Sequence, residues 1–466
     1  MFTVADILAA TGGTLVCGTE GEVAGVGTDS RRVLPEELFV PLAGDRFDGH
    51  DFIAEVVDRG VRVVLASIGW LADNTPPAGC SCIAVPDTLR AMGDLAAFHR
   101  RRFELPIVGI TGSNGKTTTK EMLAAILGGT GPGLKTQGNL NNLIGLPQML
   151  FRLTDEHQWA VLEMGMSEFG EIDRLAEIAG PGVGIITNAY PAHLATLGSV
   201  EGVARAKGEL FLRLPSEGVA IYNADDPLIA ACPVPPGVRR VGFGLHGSMV
   251  TANDISGRGW EGQAFTLVLP GWSCRVELKA FGLHNVYNAL AAAAAAWSLG
   301  VSGERIVSGL ASFRPYDKRF QLENLGRIIL VDDSYNANPA SMAAALLTLR
   351  DLKGQGRVIA VLGDMLELGE ETVAAHKDLG RLAATCADRL YLMGEMAETV
   401  AAAAIDAGVA GEEIVVATDH GAIVDDIRKD HMDGDCILVK GSRGMRMDLV
   451  AAALRSIYAG AAGEED

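Results

Sequence analysis

The run Gly109-Ile-Thr-Gly-Ser-Asn-Gly-Lys-Thr-Thr, residues 109–118, collects the groups needed to hold a phosphorylated ligand. Gly112, Ser113, Asn114 and Gly115 can turn backbone N–H groups toward an anion. Lys116 adds a mobile positive charge, and Thr117 and Thr118 add hydroxyls, with Thr117 placed for Mg²⁺. The context suits such a loop. An apolar stretch, residues 106–110, reads as a strand before it, and Met122, Leu123, Ile126 and Leu127 share one helix face behind it. A strict Walker A loop has Gly six residues before the lysine; here that position is Ile110, so the form is G-x-x-G-K-T-T.

Phosphoryl transfer between two anions requires a divalent cation, and hard Mg²⁺ prefers oxygen ligands. Glu163 ends a predicted strand over residues 159–162, where a parallel sheet would offer a carboxylate to the loop's cation. His193 follows another predicted strand, residues 183–187, in Asn-Ala-Tyr-Pro-Ala-His. Residue type alone leaves each a plainer role, a strand-end surface acid and a turn histidine. Lys207, in Ala-Lys-Gly-Glu, reads alone as a solvated helix lysine.

Taken together, these pieces resemble the Mur ligases, ATP-dependent enzymes that form peptide bonds in bacterial cell-wall synthesis; the loop form is shared with folylpolyglutamate synthases. The resemblance spans essentially the whole chain. It includes GNLNNLIGLPQ (138–148), GLHNVYN (282–288), DDSYNANPASM (332–342), LGDMLELG (362–369), VKGSRGMRM (439–447) and the N-terminal LFVPLAGDRFDGHDF (38–52). It implies that Lys116, Glu163, His193, Lys207 and Arg319 are catalytic. Thr117, Glu163 and His193 would bind Mg²⁺, and Lys207, carbamylated by CO₂, would hold a second ion. Carbamylation needs a neutral amine, so the site must depress the lysine pKa.

By the same resemblance Asn139 and Asn288 would hold adenine, Asn285 would belong to the same nucleotide site, Arg319 would reach the ATP phosphates, and Asp333 would contact the ribose. Thr28, Ser30, Arg31, Asp48 and His50 would take the UDP part of the substrate. The run YNANP is similar to that of the family members that add D-alanyl-D-alanine to UDP-N-acetylmuramoyl-tripeptide, which makes those two molecules the expected substrates. Asn336, Asn338, Lys440 and Arg443, at predicted strand ends, could pair with a peptide bond and a terminal carboxylate; they could equally be turn formers and a capping charge. Two positions depart from the family pattern: Met166-Ser167-Glu168 replaces Ala-Asn-His, and Lys318 replaces a glycine before Arg319. A P-loop GTPase, kinase or nucleotide-binding regulator is the rival from another class, and it has no natural use for Glu163, His193 and Lys207 together.

Positioning these groups takes more than one core, because 466 residues exceed what a single domain holds. The expected fold is α/β in three domains: a small α/β unit for the UDP-substrate (1–85), a P-loop-type ATP-binding domain with a parallel-rich sheet (86–315), and a Rossmann-like α/β domain (316–466). The first is expected to mix short alternating strands with turns, including a surface turn over residues 72–81. The third is read from predicted strands at 328–331, 358–362, 389–393, 414–417 and 437–439. Residues 291–297, rich in Ala, read as a tightly packed core helix, far short of the roughly 20 residues a bilayer requires. A net charge of −19 argues against nucleic-acid or anionic-membrane binding. Seven scattered cysteines without zinc spacing, and no export signal, point to a cytoplasmic protein, expected to act as a monomer. Only the acidic tail, residues 463–466, reads as disordered.

Overall fold

The apolar runs that sequence periodicity assigns to strands become the centres of three sheets. A computed structural model describes residues 1–19, 21–44, 47–352 and 356–459, so the acidic tail lies outside the described residues. The N-terminal sheet has strand order Thr14–Cys17, Ser81–Val85, Val63–Ser67, Glu37–Phe39, Gly25–Gly27, parallel except for the first pair. Its inner strands are not half-exposed as the alternating reading expects. Leu65 and Ile83 pack into a core with helices Val4–Thr11 and Thr88–Arg100, while Val64 and Cys82 pack into another with Ile53–Asp58. Helices cover both faces, and strands buried on both faces lose their polar alternation. The expected surface turn starts late, because Ala72 and Asp73 still belong to helix Ile68–Asp73.

Helix Thr88–Arg100 joins the first two sheets: Met92 and Leu95 belong to the N-terminal core, while Ala96 and Ala97 belong to a central one. The central sheet is wholly parallel, in the order Arg239–Phe243, Val219–Asn223, Val183–Ile186, Ile107–Thr111, Trp159–Glu163, Gly133–Lys135. Ile107–Thr111, which feeds the glycine loop, lies between the strands that lead to Glu163 and to His193. Their C-terminal ends therefore open on one crevice, the place where such sheets bind ligands. A three-stranded antiparallel sheet, Thr251–Gly257, Gln263–Leu269 and Trp272–Leu278, was not foreseen. It covers the far side of helix Leu283–Ser298, where Ala289 to Ala296 are all completely buried. That helix in turn packs on Lys116–Leu127.

The third sheet has order Gln321–Asn324, Ile328–Asp333, Asp435–Lys440, Val358–Gly363, Arg389–Met393, Ile414–Val416. Five strands run parallel, as the Rossmann-like pattern expects, and Gln321–Asn324 adds an antiparallel edge.

Candidate functional site

Two glycines let the phosphate loop pass close to its neighbours. Gly112 and Gly115 have φ of +150° and +84°, and a Cβ would lie 1.8 Å from Thr187 Oγ1 or 2.2 Å from Asn288 Oδ1. Neither position admits a side chain. Helix Lys116–Leu127 begins directly behind the loop with no side-chain cap, leaving its first N–H groups available to an anion. Lys116 Nζ folds back onto Gly112 O (2.6 Å) and Ser113 O (3.4 Å). Burial lowers the pKa of this lysine, partly offset by the Glu163 carboxylate.

Glu163 is 3% exposed, and both of its oxygens are occupied: Thr117 Oγ1 donates to one at 2.8 Å and Asn141 Nδ2 to the other at 2.9 Å. Its backbone N–H donates to Thr136 Oγ1 at 2.8 Å, which fixes the strand end. The surface-acid reading of Glu163 therefore fails. His193 adopts a left-handed backbone (φ 53°) at the start of a short helix, and its Nδ1 lies 2.9 Å from Glu367 Oε2 of the third domain. Burial lowers the His193 pKa, against the opposing pull of Glu367. Thr117, Glu163 and His193, two oxygen groups and an imidazole, all line one cavity, and these donor types suit a divalent cation.

Lys207 lies in helix Val200–Leu212 and is 3% exposed, so it is not a solvated lysine. Burial first, and then the nearby Lys116, hold its ammonium well below the ordinary lysine range. Among the described residues no carboxylate pairs with it.

Asn285 and Asn288 are buried one turn apart in helix Leu283–Ser298. Asn288 Nδ2 donates to Asn285 Oδ1 (3.0 Å), and Asn285 Nδ2 to Phe281 O (2.8 Å). Asn139 is exposed at the rim of the same cavity. Arg319 stacks on Tyr335, its guanidinium carbon 4.1 Å from the ring centroid, and among the described residues its buried Nε has no hydrogen-bond partner. A buried unpaired donor on a cavity wall is what an absent anion would satisfy. Lys318 has φ 57°, which explains physically why a glycine suits that position in relatives. Its Nζ reaches Asp448 at 3.1 Å.

The third-domain residues form one knot. Asp333 accepts from Lys440 Nζ (2.6 Å) and Phe320 N (3.1 Å), and Lys440 also donates to Asn336 O (3.0 Å). Asn336 Oδ1 accepts from Arg443 N at 3.2 Å. Asn338 caps helix Pro339–Asp351 and reaches across to the phosphate loop, its Nδ2 donating to Asn114 Oδ1 at 2.7 Å. The helix-cap contact of Asn338 is thus real, whereas Asn336 bonds across to the loop at Arg443 and does not close a local turn; both line the same cavity. This cavity, about 870 Å³, brings together Lys116, Glu163, His193, Arg319, Asp333 and Lys440 from two domains.

Neither Lys207 nor the N-terminal group lines it. Thr28 Oγ1 accepts from Gln148 Nε2 of the central domain (3.1 Å), and Ser30 is half-buried beside it. The Arg31 side chain is 84% exposed and forms two 2.8 Å bonds to Asp29. His50 is buried with both nitrogens committed, Nδ1 to Asp48 (2.6 Å) and Nε2 accepting from Ser67 N (3.0 Å), so Asp48 and His50 brace their loop. Sequence reasoning did not single out Asn141, Tyr335 or Glu367. All three lie inside segments that carry the resemblance, but side-chain amides, a ring and an acid in loops announce no role until their partners are known.

This crevice is lined by the phosphate loop of the central α/β domain and by the strand ends of the third. Three family models match: the Mur ligase family catalytic domain over residues 22–100, the Mur ligase middle domain over 110–296, and the Mur ligase glutamate ligase domain over 318–443. The chain belongs to the Mur ligase family. Within it, the chain is 39% identical to the UDP-N-acetylmuramoyl-tripeptide–D-alanyl-D-alanine ligase of Escherichia coli, over 94% of this chain and 95% of the relative. It is 36% identical to the enzyme of the same name from Bacillus subtilis, over 93% of each. A crystal structure of MurF from Acinetobacter baumannii superposes with a TM-score of 0.87 at 35% identity, covering 98% of this chain and 99% of the other. MurF from Thermotoga maritima in complex with ADP superposes with a TM-score of 0.82 at 28% identity, covering 92% and 97%.

Proposed function

We propose that this chain is an ATP-dependent ligase that joins the amine of D-alanyl-D-alanine to the terminal carboxylate of UDP-N-acetylmuramoyl-tripeptide. The observation that carries this reading is the single cavity in which the phosphate loop, Glu163 and His193 face Arg319, Asp333 and Lys440, in a chain so similar to ligases of that name. A carboxylate does not accept an amine at neutral pH. Its oxygen therefore attacks the γ-phosphorus of ATP, ADP leaves, and the acyl-phosphate gains a leaving group. The amine nitrogen then attacks the acyl carbon, phosphate departs and the nitrogen gives up a proton.

In this reading the loop from Gly112 to Thr118 holds the phosphates, and Lys116 turns from its own carbonyls to the transferring charge. Arg319 gives its unpaired Nε to a phosphate oxygen. Asn139, Asn285 and Asn288 take the adenine edge, and Asp333 the ribose. Thr117, Glu163 and His193 would hold one Mg²⁺, and Lys207 as a carbamate a second; the ions neutralise phosphate charge. The depressed basicity of Lys207 supports the carbamate, because a neutral amine bonds to the carbon of CO₂ and releases a proton.

Residues 1–85 serve the UDP part through Thr28, Ser30 and Arg31 on a loop braced by Asp48 and His50. Residues 86–315 serve ATP, and residues 316–466 serve the dipeptide through Asn336, Asn338, Lys440 and Arg443. Action as a monomer in the cytoplasm completes the reading. All seven cysteines are free thiols, and among the described residues no helix is long and apolar enough to cross a membrane.

The test is phosphate release from ATP by the purified protein, given UDP-N-acetylmuramoyl-tripeptide and a panel of amines. Sustained release should require both the tripeptide and D-alanyl-D-alanine. Equal turnover with single amino acids would overturn the dipeptide assignment.

A further inference from the structure

Glu367 has no assigned part in the reaction, yet it is presented with unusual care. Its backbone is left-handed (φ 64°), an uncommon state for a residue with a side chain. The residues before it are pinned: Met365 N donates to His376 Nε2 (3.0 Å), and Leu366 N to Ser442 Oγ (2.9 Å). Asp364, at the end of the adjoining strand, accepts from Glu395 N at 2.7 Å. From this fixed loop the Glu367 carboxylate, 68% exposed, crosses the domain boundary to lie 2.9 Å from Nδ1 of His193. Among the described residues it forms no other ion pair.

We propose that Glu367 is a positioning residue for His193, supplied by the third domain. The inference rests on the reading of His193 as a metal-binding residue. A carboxylate beside Nδ1 favours the tautomer with its proton on that nitrogen, which leaves the Nε2 lone pair for the cation and limits rotation of the ring. Because the carboxylate belongs to another domain, this arrangement exists only while the third domain is seated on the central one. Metal affinity and domain seating are then linked, and by reciprocity each strengthens the other. The third domain thereby takes part in building the cation site as well as in binding dipeptide.

Mn²⁺ alone, titrated into the purified full-length protein and followed by electron paramagnetic resonance, tests this. Glu367→Ala should weaken Mn²⁺ binding by about 10- to 100-fold. Glu367→Gln, whose amide oxygen still accepts from Nδ1–H, should recover most of it. In turnover, Glu367→Ala should raise the metal concentration needed for half-maximal rate and leave the KM for D-alanyl-D-alanine unchanged. Thermal unfolding distinguishes these effects from misfolding, and Glu367→Gly removes the carboxylate without burdening the left-handed backbone. His193→Ala serves as the reference. If it loses Mn²⁺ while Glu367→Ala and Glu367→Gly bind like the wild type, the positioning role is wrong and the metal reading stands. If His193→Ala itself binds Mn²⁺ normally, the metal reading fails and the inference falls with it.

Discussion

Glu163 of the central domain and Arg31 of the N-terminal domain, both proposed site residues, are held in opposite ways. Glu163 is buried, bonded through both oxygens and tied to a neighbouring strand through its backbone, and Lys116 and Lys207 are enclosed near it. Arg31 stands in solvent, and among the described residues its side chain is held by Asp29, two residues away. In the proposed reaction the enclosed groups would meet the charge that develops during phosphoryl transfer, and the exposed arginine would meet the UDP part of the substrate.

Breaking the enclosed half should cost most. Lys116→Ala should lower kcat by about 10²–10³-fold with the unfolding temperature nearly unchanged, because among the described residues the lysine bonds to its own loop alone; near-normal phosphate release would refute the phosphate-loop role. Lys207→Ala should lose activity by about 10²-fold and regain part of it with added short carboxylic acids, which can occupy the place of a carbamate. Full activity without any addition would remove the carbamate from the mechanism. The third domain should fall between the extremes. Asn336→Ala and Arg443→Ala should each raise the KM for D-alanyl-D-alanine about 10-fold while sparing that for ATP; equal shifts in both constants would make these loops part of domain seating or the ATP site. The smallest effect belongs to Arg31→Ala, about a 3-fold rise in KM for the UDP-substrate at constant kcat, and a drop in kcat would erase the distinction between the two halves.

The same contrast governs what was legible in the chain. Strands buried on both faces are continuous apolar runs, so the centre of the central sheet and most of the third were readable, and so was the phosphate loop between its strand and helix. Val219–Asn223 was passed over although Val-Ala-Ile-Tyr is a short, largely buried apolar run, Arg239–Phe243 was missed because it opens on two arginines, and the antiparallel sheet at 251–278 because its outer strands are largely exposed. The candidacy of Glu163 comes from its strand end together with the family resemblance, but its bond to Asn141 was not readable, since that bond spans 22 residues. The Asn114–Asn338 contact joins residues 224 apart and follows only from how two domains meet. Left-handed Lys318, His193 and Glu367 carry no signature in residue type.

Helix Leu283–Ser298 has a consequence for how this chain can change over generations. Its alanines fill a layer of fixed thickness between the antiparallel sheet and the phosphate-loop helix, and its first turns carry Asn285 and Asn288, the latter against Gly115. Interiors packed at this density barely compress, and added methylenes cost about 1–3 kcal/mol. If Asn285 and Asn288 hold the nucleotide as proposed, a larger side chain at Ala292 or Ala295 should shift these two amides. Drift at these positions would then be confined to small residues by function, in a stretch of sequence that is itself alanine.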